Sequence, residues 1–524
     1  MRNPSPPPEL LENRELLEAD TIHNTTYSKH WLFSTLMKLI QEVDKEEASN
    51  EESEFGLDVD EELQNELCKL WDMSMNTEVS NFLHEFKATE ILAGVIGRSK
   101  APRVTEISIG ILGNMACVDN ICVTMAKNSK LRDMVLLLLE SSDPQTLNET
   151  TRFLYTSLSN TEARDEWINS MNGDVIRENI MFILKSSTNS DLLKNTGEFV
   201  DILLDVNEEL CQSWGTIEFM HALLEAIKQI GCHHSEALKT YLHILQLFST
   251  SETGVQALVD CSEDVEQPLM KYLGIICEDE IVGLENREAC LASALSVLNI
   301  IFSACETTSN RMIKDEKLVR IFLKIVEPLY PWLQQLNKAN GKAAESEATN
   351  EMCSASKSSN DNINQNNSSS NQASCSNSAS SNQNHSDKET HQASSEDMSR
   401  SSESSSRLDD SEKESKEDEK TRQHLNLLYN MVQGFAYDYI FTMHMVSEEE
   451  SHESESGITT TNSHMCSTTL SYLNSSSSRR RISYFVLTLK DAATPDFDPV
   501  DALMTLAQDT KQERLVRIIK DVLS

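Results

Sequence analysis

The chain has 524 residues and a formal net charge of -39 at pH 7. Such a negative balance disfavours nucleic-acid backbones and anionic membrane surfaces as partners, because both repel it. The 12 cysteines form no C-x-x-C pair, and the longest pure apolar run, Met134 to Leu139, is too short to span a bilayer, so we expect reduced thiols in a cytosolic or nuclear protein.

The N-terminal stretch carries prolines and acids where a signal peptide would need an apolar core, and this argues against secretion. A first helix is predicted next, because Ser28 can cap it and apolar residues repeat from Leu32 to Val43 at helical spacing. An acidic stretch follows. Like charges repel and hydrate, so this stretch is predicted to be a linker.

Helical patterns resume near Leu63 and continue to Trp332, with a break at Pro102. No segment in this range shows the sustained alternation of a strand. Apolar helices of similar pattern start at Leu112, Leu154, Val200, Leu242 and Val297, which are 42, 46, 42 and 55 residues apart. Armadillo and HEAT repeats run at roughly 40–47 residues, so the sequence predicts an all-α, armadillo/HEAT-like α-solenoid, with extra residues in the last interval, between Cys261 and Arg287.

Beyond Trp332 the composition changes, and no aromatic residue occurs before Tyr429. A segment of Ser, Asn, Gln and charged residues buries too little apolar surface to offset its ordering entropy, so it is expected to be disordered. Asp498 and Pro499 mark the start of a last helix. The predicted organisation is a disordered Pro/acidic N-terminus (1–26), an N-terminal helix (27–43), an acidic linker (44–60), armadillo-like repeats (61–340), a disordered Ser/Asn-rich insertion (341–421), a helix (422–446), a disordered segment (447–480) and a C-terminal helical cap (481–524).

The stretch Gly110-Ile-Leu-Gly-Asn-Met-Ala-Cys117 has two glycines inside an apolar helical pattern. A phosphate-binding loop would need a different glycine spacing, a lysine and a preceding strand. The glycines are therefore predicted to let a neighbouring helix backbone pack closely. Cys117 and Cys122 fall on different helix faces, and the adjacent pair His233-His234 diverges, so neither is predicted to bind a metal.

No catalytic motif stands out, since the chain has no G-x-S-x-G, H-E-x-x-H or kinase set. We predict no enzyme activity, no cofactor, no metal site and no small-molecule substrate. Two serines are candidate phosphorylation sites: Ser49 before two glutamates, and Ser483 after the cluster Arg479-Arg-Arg481. The arginine cluster also fits a short nuclear-localisation element or a plain charged linker.

Several stretches resemble the serum-amyloid-A-like protein family, also called synoviocyte-proliferation-associated proteins. They are Arg2 to Pro8, Tyr27-Ser-Lys-His-Trp-Leu-Phe33, Trp71-Asp-Met-Ser-Met75, Phe82-Leu-His-Glu-Phe86, Gly110 to Cys117, Tyr241 to Leu247 and Gly254-Val-Gln-Ala-Leu258. The similarity is strong over about residues 27–130 and weaker to about 330, and the Ser/Asn-rich insertion departs from the family pattern. The resemblance implies an armadillo-type fold, a largely nuclear location with the cytoplasm left open, a link to cell proliferation and no catalytic residues.

In armadillo proteins of the import-receptor type, an asparagine recurs in successive repeats and binds the backbone of an extended peptide. The corresponding positions here are Asn114, Thr156, Ile202, Ile244 and Asn299. The asparagine ladder is broken in the middle, and Gly110 stands where the partnering tryptophan would be, so that receptor mechanism is disfavoured. Asn114, Thr156 and Asn299 remain candidate partner-binding residues. The leading hypothesis is a non-enzymatic scaffold that binds a protein partner, and the alternative is an adaptor that binds basic cargo through an acidic surface.

Overall fold

The structure is a computed structural model. It describes residues 20–49, 58–171, 173–231, 235–278, 287–313, 315, 317–330, 419–436, 438–439, 442 and 498–509. Contacts divide the chain into one unit of Met1–Glu327 with Leu427–Ser524, and a second of Pro328–Asn426. In the second unit, residues 328–330 and 419–426 are described, and all of them are helical.

Within the described residues the protein is all-α, and the bridge between Thr21 and Ser28 is its one isolated β contact. The helices from the N-terminus are α1 (Lys29–Ser49), α2 (Glu61–Met73), α3 (Thr77–Glu85), α4 (Ala88–Ile96), α5 (Pro102–Met115), α6 (Asp119–Ala126), α7 (Ser129–Leu137), α8 (Pro144–Ser159), α9 (Arg164–Ser170), α10 (Asp174–Ser186), α11 (Ser190–Val206), α12 (Glu208–Trp214), α13 (Ile217–Ile230), α14 (Ser235–Phe248), α15 (Glu252–Asp260), α16 (Ser262–Glu278), α17 (Glu288–Ala304) and α18 (Glu306–Met312). Residues 317–330 and 419–436 are also helical, and α19 is Pro499–Asp509.

These helices form three-helix repeats, each with a short first helix, a second helix and a third helix that is longer than the first. The five complete repeats are α3–α5, α6–α8, α9–α11, α12–α14 and α15–α17, preceded by α1 and α2. Each third helix packs on the next, from α2 through α5, α8, α11 and α14 to α17. This stacking is that of an armadillo-like α-solenoid, in which a repeat buries its apolar face only against its neighbours. The fold class predicted from the sequence is confirmed.

Polar side chains at the turns set the helix boundaries. Asp60, Asn76, Asp143 and Asn189 each accept hydrogen bonds from backbone amides of the first helical turn. Those amides have no partner within the helix, so the caps fix where each helix begins. Ser28 caps α1 as predicted, with its Oγ 3.1 Å from Trp31 N.

Helix α1 is longer than predicted, because it continues to Ser49 through the first residues of the predicted acidic linker. Two carboxylates explain the extension. Asp44 lies 2.9 Å from Arg98 Nη1, and Glu46 accepts hydrogen bonds from Ser99 Oγ and Lys100 N at 3.0 and 2.8 Å. Contacts to the α4–α5 turn thus stabilise a charged helical end that repulsion alone would disfavour.

The extra residues predicted between Cys261 and Arg287 also have a different arrangement. Ser262–Glu278 is α16, the second helix of its repeat, so the longer spacing falls between α16 and α17, mostly on residues outside the described ranges. Among the described helices, none by itself is long and apolar enough to cross a membrane. The bent pair α17 and α18, at 116°, meets the length and composition criteria together.

A sixth repeat is discontinuous in sequence. Its first two helices are α18 and residues 317–330, and residues 427–436 take the place of the third helix. Phe435 packs against Phe302 of α17 and Phe322 at centroid distances of 5.5 and 6.1 Å. The 88 residues 331–418 lie between the second and third helices.

Candidate functional site

The exposed sides of the stacked third helices form one candidate site, which we call the third-helix face. Its half-exposed or exposed residues recur every three or four positions, as they do on one side of a helix. They include Asn148, Arg152, Tyr155 and Thr156 on α8, Lys194, Asn195, Glu198, Asp201, Ile202 and Asp205 on α11, Lys239, Thr240, His243, Gln246 and Leu247 on α14, and Ser296, Asn299, Ile300 and Ser303 on α17.

At the N-terminal end of this face, Gly110 lies under the indole ring of Trp71. A Cβ atom at position 110 would lie 2.7 Å from Trp71 Nε1 and closer still to two ring carbons. The prediction that Gly110 allows close packing is therefore confirmed, but the predicted neighbour is wrong. A side chain from α2, and not a helix backbone, occupies the space.

Gly113 has a similar role toward Arg152, whose Nη2 would lie 2.9 Å from an added Cβ. The Arg152 guanidinium also donates to Gly110 O at 3.0 Å and to Asn114 Oδ1 at 3.2 Å. Glu149 accepts from Arg152 Nε at 2.7 Å and so pairs its charge. The two glycines thus make room for an aromatic ring and a guanidinium that connect three successive third helices.

Asn114 is fully engaged within this network. Its Nδ2 donates to Trp71 O and to Ser74 Oγ, both at 3.0 Å, while its Oδ1 accepts from Arg152. An asparagine side chain has two donor hydrogens and one acceptor oxygen. These bonds link α2, α5 and α8. Because they use both donor hydrogens and one acceptor site of the amide, Asn114 has little capacity left to bind a peptide.

Polar links continue along the third-helix face. Asn195 Nδ2 donates to Asn148 Oδ1 at 2.9 Å between α8 and α11. Between α11 and α14, the buried Tyr241 hydroxyl donates to Leu193 O at 2.7 Å. Burial raises the pKa of that hydroxyl, so it stays protonated and remains a donor.

His243 on α14 and Asp201 on α11 form the one histidine–carboxylate contact below 3 Å among the described residues, with Nδ1 2.6 Å from Oδ1. The hydrogen bond to Asp201 raises the pKa of His243, while burial acts in the opposite direction. Nearby, burial raises the pKa of Glu198, and the charges of Asp201 and Glu236 add to that effect. This part of the face is acidic and holds a titratable link between two repeats.

The other sequence candidates lie apart from the Asn114 network. Thr156 bonds back to Arg152 O at 2.9 Å, as a helical threonine often does. Asn299 has a buried Oδ1 without a partner among the described residues, and its Nδ2 would lie 3.7 Å from a Cβ at Gly434. The side chain of Ser49, together with Ser483 and the pair His233-His234, lies outside the described residues.

The cysteines and acids of the described residues include no group of three metal-binding side chains. Cys122 is buried, and burial raises its pKa to about 11, so it is a poor thiolate. Cys305 differs, since hydrogen bonds to Ser262, Thr307 and Thr308 lower its pKa to about 6. Nothing else at Cys305 indicates a ligand.

Sequence reasoning missed Arg152, His243 and Asn195 as organising residues of the face. A signal was available for two of them. Arg152 and His243 both lie inside apolar helical stretches, where a charged or titratable side chain needs a partner. The identity of that partner depends on which helices stack, and a single sequence does not give this.

Comparisons with known proteins support the motif resemblance. A family model described as the SAAL1 C-terminal domain matches residues 176–479. Protein saal1 of Danio rerio is 43% identical over 327 residues, which is 58% of this chain and 69% of that protein. Protein saal1 of Xenopus tropicalis is 37% identical over 375 residues, which is 66% of this chain and 79% of that protein. A designed armadillo repeat protein aligns with a TM-score of 0.35 and 16% identity, over 51% of this chain and 99% of its own.

Proposed function

Since this chain belongs to the SAAL1 family, we propose that it is a protein-interaction scaffold whose third-helix face binds a segment of a partner protein. The observation that carries this is the run of stacked third helices, α8, α11, α14 and α17, each exposing one side. A rigid stack that presents successive exposed strips is suited to an extended or helical ligand. No catalysis is part of the proposal.

The face offers mixed chemistry to such a ligand. Tyr155, Ile202 and Leu247 are half-buried, so each has apolar surface that a partner can cover. Glu198 and Asp201 add hydrogen-bond acceptors beside them. Aromatic and aliphatic anchors surrounded by polar groups are the usual composition of a protein interface.

The test is affinity purification of the tagged full chain followed by mass spectrometry. The altered chain carries Tyr155→Glu and Ile202→Glu, two changes on the third-helix face. Partners that use the face should fall at least about tenfold in recovery, which corresponds to losing roughly 1.4 kcal/mol of binding. Val175→Glu on α10 is the matched control, since Val175 is 56% exposed on a second helix.

Unchanged helical content and melting temperature would show that the altered chain is folded. Recovery of the same partners at the same level by the face variant would refute the proposed site. Equal loss with Val175→Glu would refute it as well, because the effect would then not belong to the third-helix face.

A second proposal is an adaptor that binds basic cargo, and the cluster of Glu198, Asp201 and Asp205 favours it. Burial raises the pKa of Glu198 and the charges of Asp201 and Glu236 add to the effect, so a cation placed there would relieve the repulsion between these carboxylates. Binding to a basic peptide should then weaken steeply as salt rises. Salt-independent binding would favour the apolar anchors and the scaffold.

We also propose a nuclear location, a role in promoting cell proliferation and phosphorylation at Ser49 and Ser483, all of which come from the family resemblance or the residue motifs. Imaging of the tagged chain and phosphopeptide mapping test the first and last of these. Growth of cells depleted of the protein, with and without return of the face variant, tests whether proliferation depends on the third-helix face.

A further inference from the structure

The sixth repeat differs from the other five in how its third helix is attached. In the complete repeats, three to nine residues separate the second helix from the third. In the sixth, the 88 residues 331–418 intervene. The helix at residues 427–436 therefore reaches its place through a long connection.

The place it fills is an apolar groove. Phe435 and Tyr439 lie one helical turn apart and pack against Phe302 of α17 at centroid distances of 5.5 and 5.9 Å. Leu428 and Val432 continue the same side of the helix and are buried. Residues four and seven apart share a helix face, so the helix enters as an amphipathic ligand enters a groove.

Polar contacts between described residues lie at the C-terminal end of this helix. Ser303 Oγ donates to Asp438 Oδ2 at 3.0 Å, and the Tyr439 hydroxyl donates to Ile313 O at 3.5 Å. The first is exposed, so it adds little free energy, and the second is at the limit of hydrogen-bond length. Apolar contact dominates the docking.

The fit is incomplete. A cavity of ≈ 20 Å³ remains between Leu318, Phe322, Phe435, Tyr439 and Leu503. Only apolar groups line it, so water gains little by entering. Asn299, whose Nδ2 faces Gly434, has a buried Oδ1 without a partner among the described residues. A different helix with a larger apolar side chain or a donor at these points would fit better.

We infer that the sixth repeat is a binding groove for an amphipathic helix of a partner protein, and that residues 427–439 are its exchangeable internal occupant. The partner helix carries large apolar residues at the spacing of Leu428, Val432, Phe435 and Tyr439. The groove shares Asn299 and Ser303 of α17 with the third-helix face. The test of the proposed function changes Tyr155 and Ile202 on α8 and α11, so the two proposals can fail separately.

The length of the connection favours exchange. Closure entropy grows with the number of residues in a connection, and by chain length alone 88 residues lower the effective concentration of the tethered helix on the order of 100-fold relative to a few residues. A partner helix of equal intrinsic affinity therefore competes at a concentration lower by the same factor. In the other five repeats, short turns prevent such competition.

The first experiment uses a fluorescent peptide of residues 424–442 and the full chain. Phe435→Ala in the chain weakens the internal helix and raises the fraction of open groove. The peptide should bind this chain at least about tenfold more tightly than the unaltered chain, because apparent affinity follows the open fraction. A peptide carrying Phe435→Ala is the matched control and should bind neither chain measurably.

Equal affinity of the peptide for both chains would overturn the inference. A second measurement does not depend on any variant. Hydrogen exchange of the unaltered chain should be at least about tenfold faster for amides of residues 427–436 than for those of α14, because release of the tethered helix exposes its backbone. Equal protection of the two helices would also overturn the inference.

Discussion

Gly110→Ala adds a single methyl group between α5 and the indole of Trp71. The new Cβ would lie 2.7 Å from Trp71 Nε1, whereas carbon atoms rest at about 3.5–4.0 Å from one another. The ring must therefore move by about 1 Å. An alanine also gains about 1 kcal/mol of helix propensity over glycine, and overpacking costs about 1–3 kcal/mol, so we expect a net loss of up to about 2 kcal/mol.

Gly94→Ala is the matched control. Gly94 is also inside a helix, α4, and a Cβ there meets no described atom within 4 Å. The same substitution should therefore stabilise the protein by up to about 1 kcal/mol. Denaturant unfolding followed by circular dichroism measures both variants, and the two changes should have opposite signs.

A double-mutant cycle isolates the contact. In a Trp71→Ala background the methyl group has room, so Gly110→Ala should stabilise by about 1 kcal/mol and the coupling should reach about 1–3 kcal/mol. Identical effects of Gly110→Ala with and without the indole would refute the close-packing account. Destabilisation in both backgrounds would point to the backbone of α5.

Three further changes test the third-helix network by the same unfolding assay. Gly113→Leu should displace Arg152 and destabilise by about 1–3 kcal/mol, and an unchanged midpoint would contradict this. Asn114→Ala should lower stability by about 1–3 kcal/mol while partner recovery from the folded protein stays within twofold; loss of partners alone would restore its role as a binding residue. Hydrogen bonding to Asp201 raises the pKa of His243. The contribution of this pair to the free energy of unfolding is therefore full below about pH 6.5 and is lost as pH rises through the pKa of His243 in the folded protein. His243→Gln should therefore destabilise more at pH 5.5 than at pH 8.5, and equal effects at both would exclude the charged link.

The repeat fold was predictable because spacing and capping are local properties. Apolar residues at helical intervals and a cap such as Ser28 or Asp498 fix where helices begin without knowledge of their neighbours. The 42- to 46-residue recurrence then identifies stacking as the way to bury the apolar faces.

The contacts within the third-helix face are harder to predict from the sequence. Two glycines inside an apolar helix indicate that something approaches closely, but Trp71 and Arg152 lie 39 residues before and 42 residues after Gly110. Only the stacking of α2, α5 and α8 brings them together. Asn114 shows the same limit, because its position suggested a ligand while its actual partners belong to neighbouring helices.

A spacing pattern built on pairs of helices does not reveal the sixth repeat, because its third helix follows a long connection. With three helices per repeat, residues 317–330 need a third helix after them, and the helix predicted at 422–446 is the next one in the chain. The observed helix begins by residue 419 and supplies that third helix.

The interrupted repeat also has a consequence for biosynthesis. A ribosome adds about 5–20 residues per second, so translating residues 331–418 delays the helix at 427–436 by about 4 to 18 s. During this interval Phe302 and Phe322 are already in the nascent chain without the ring of Phe435 that later covers them. A chaperone that recognises exposed aromatic side chains has that window to engage the unfinished solenoid.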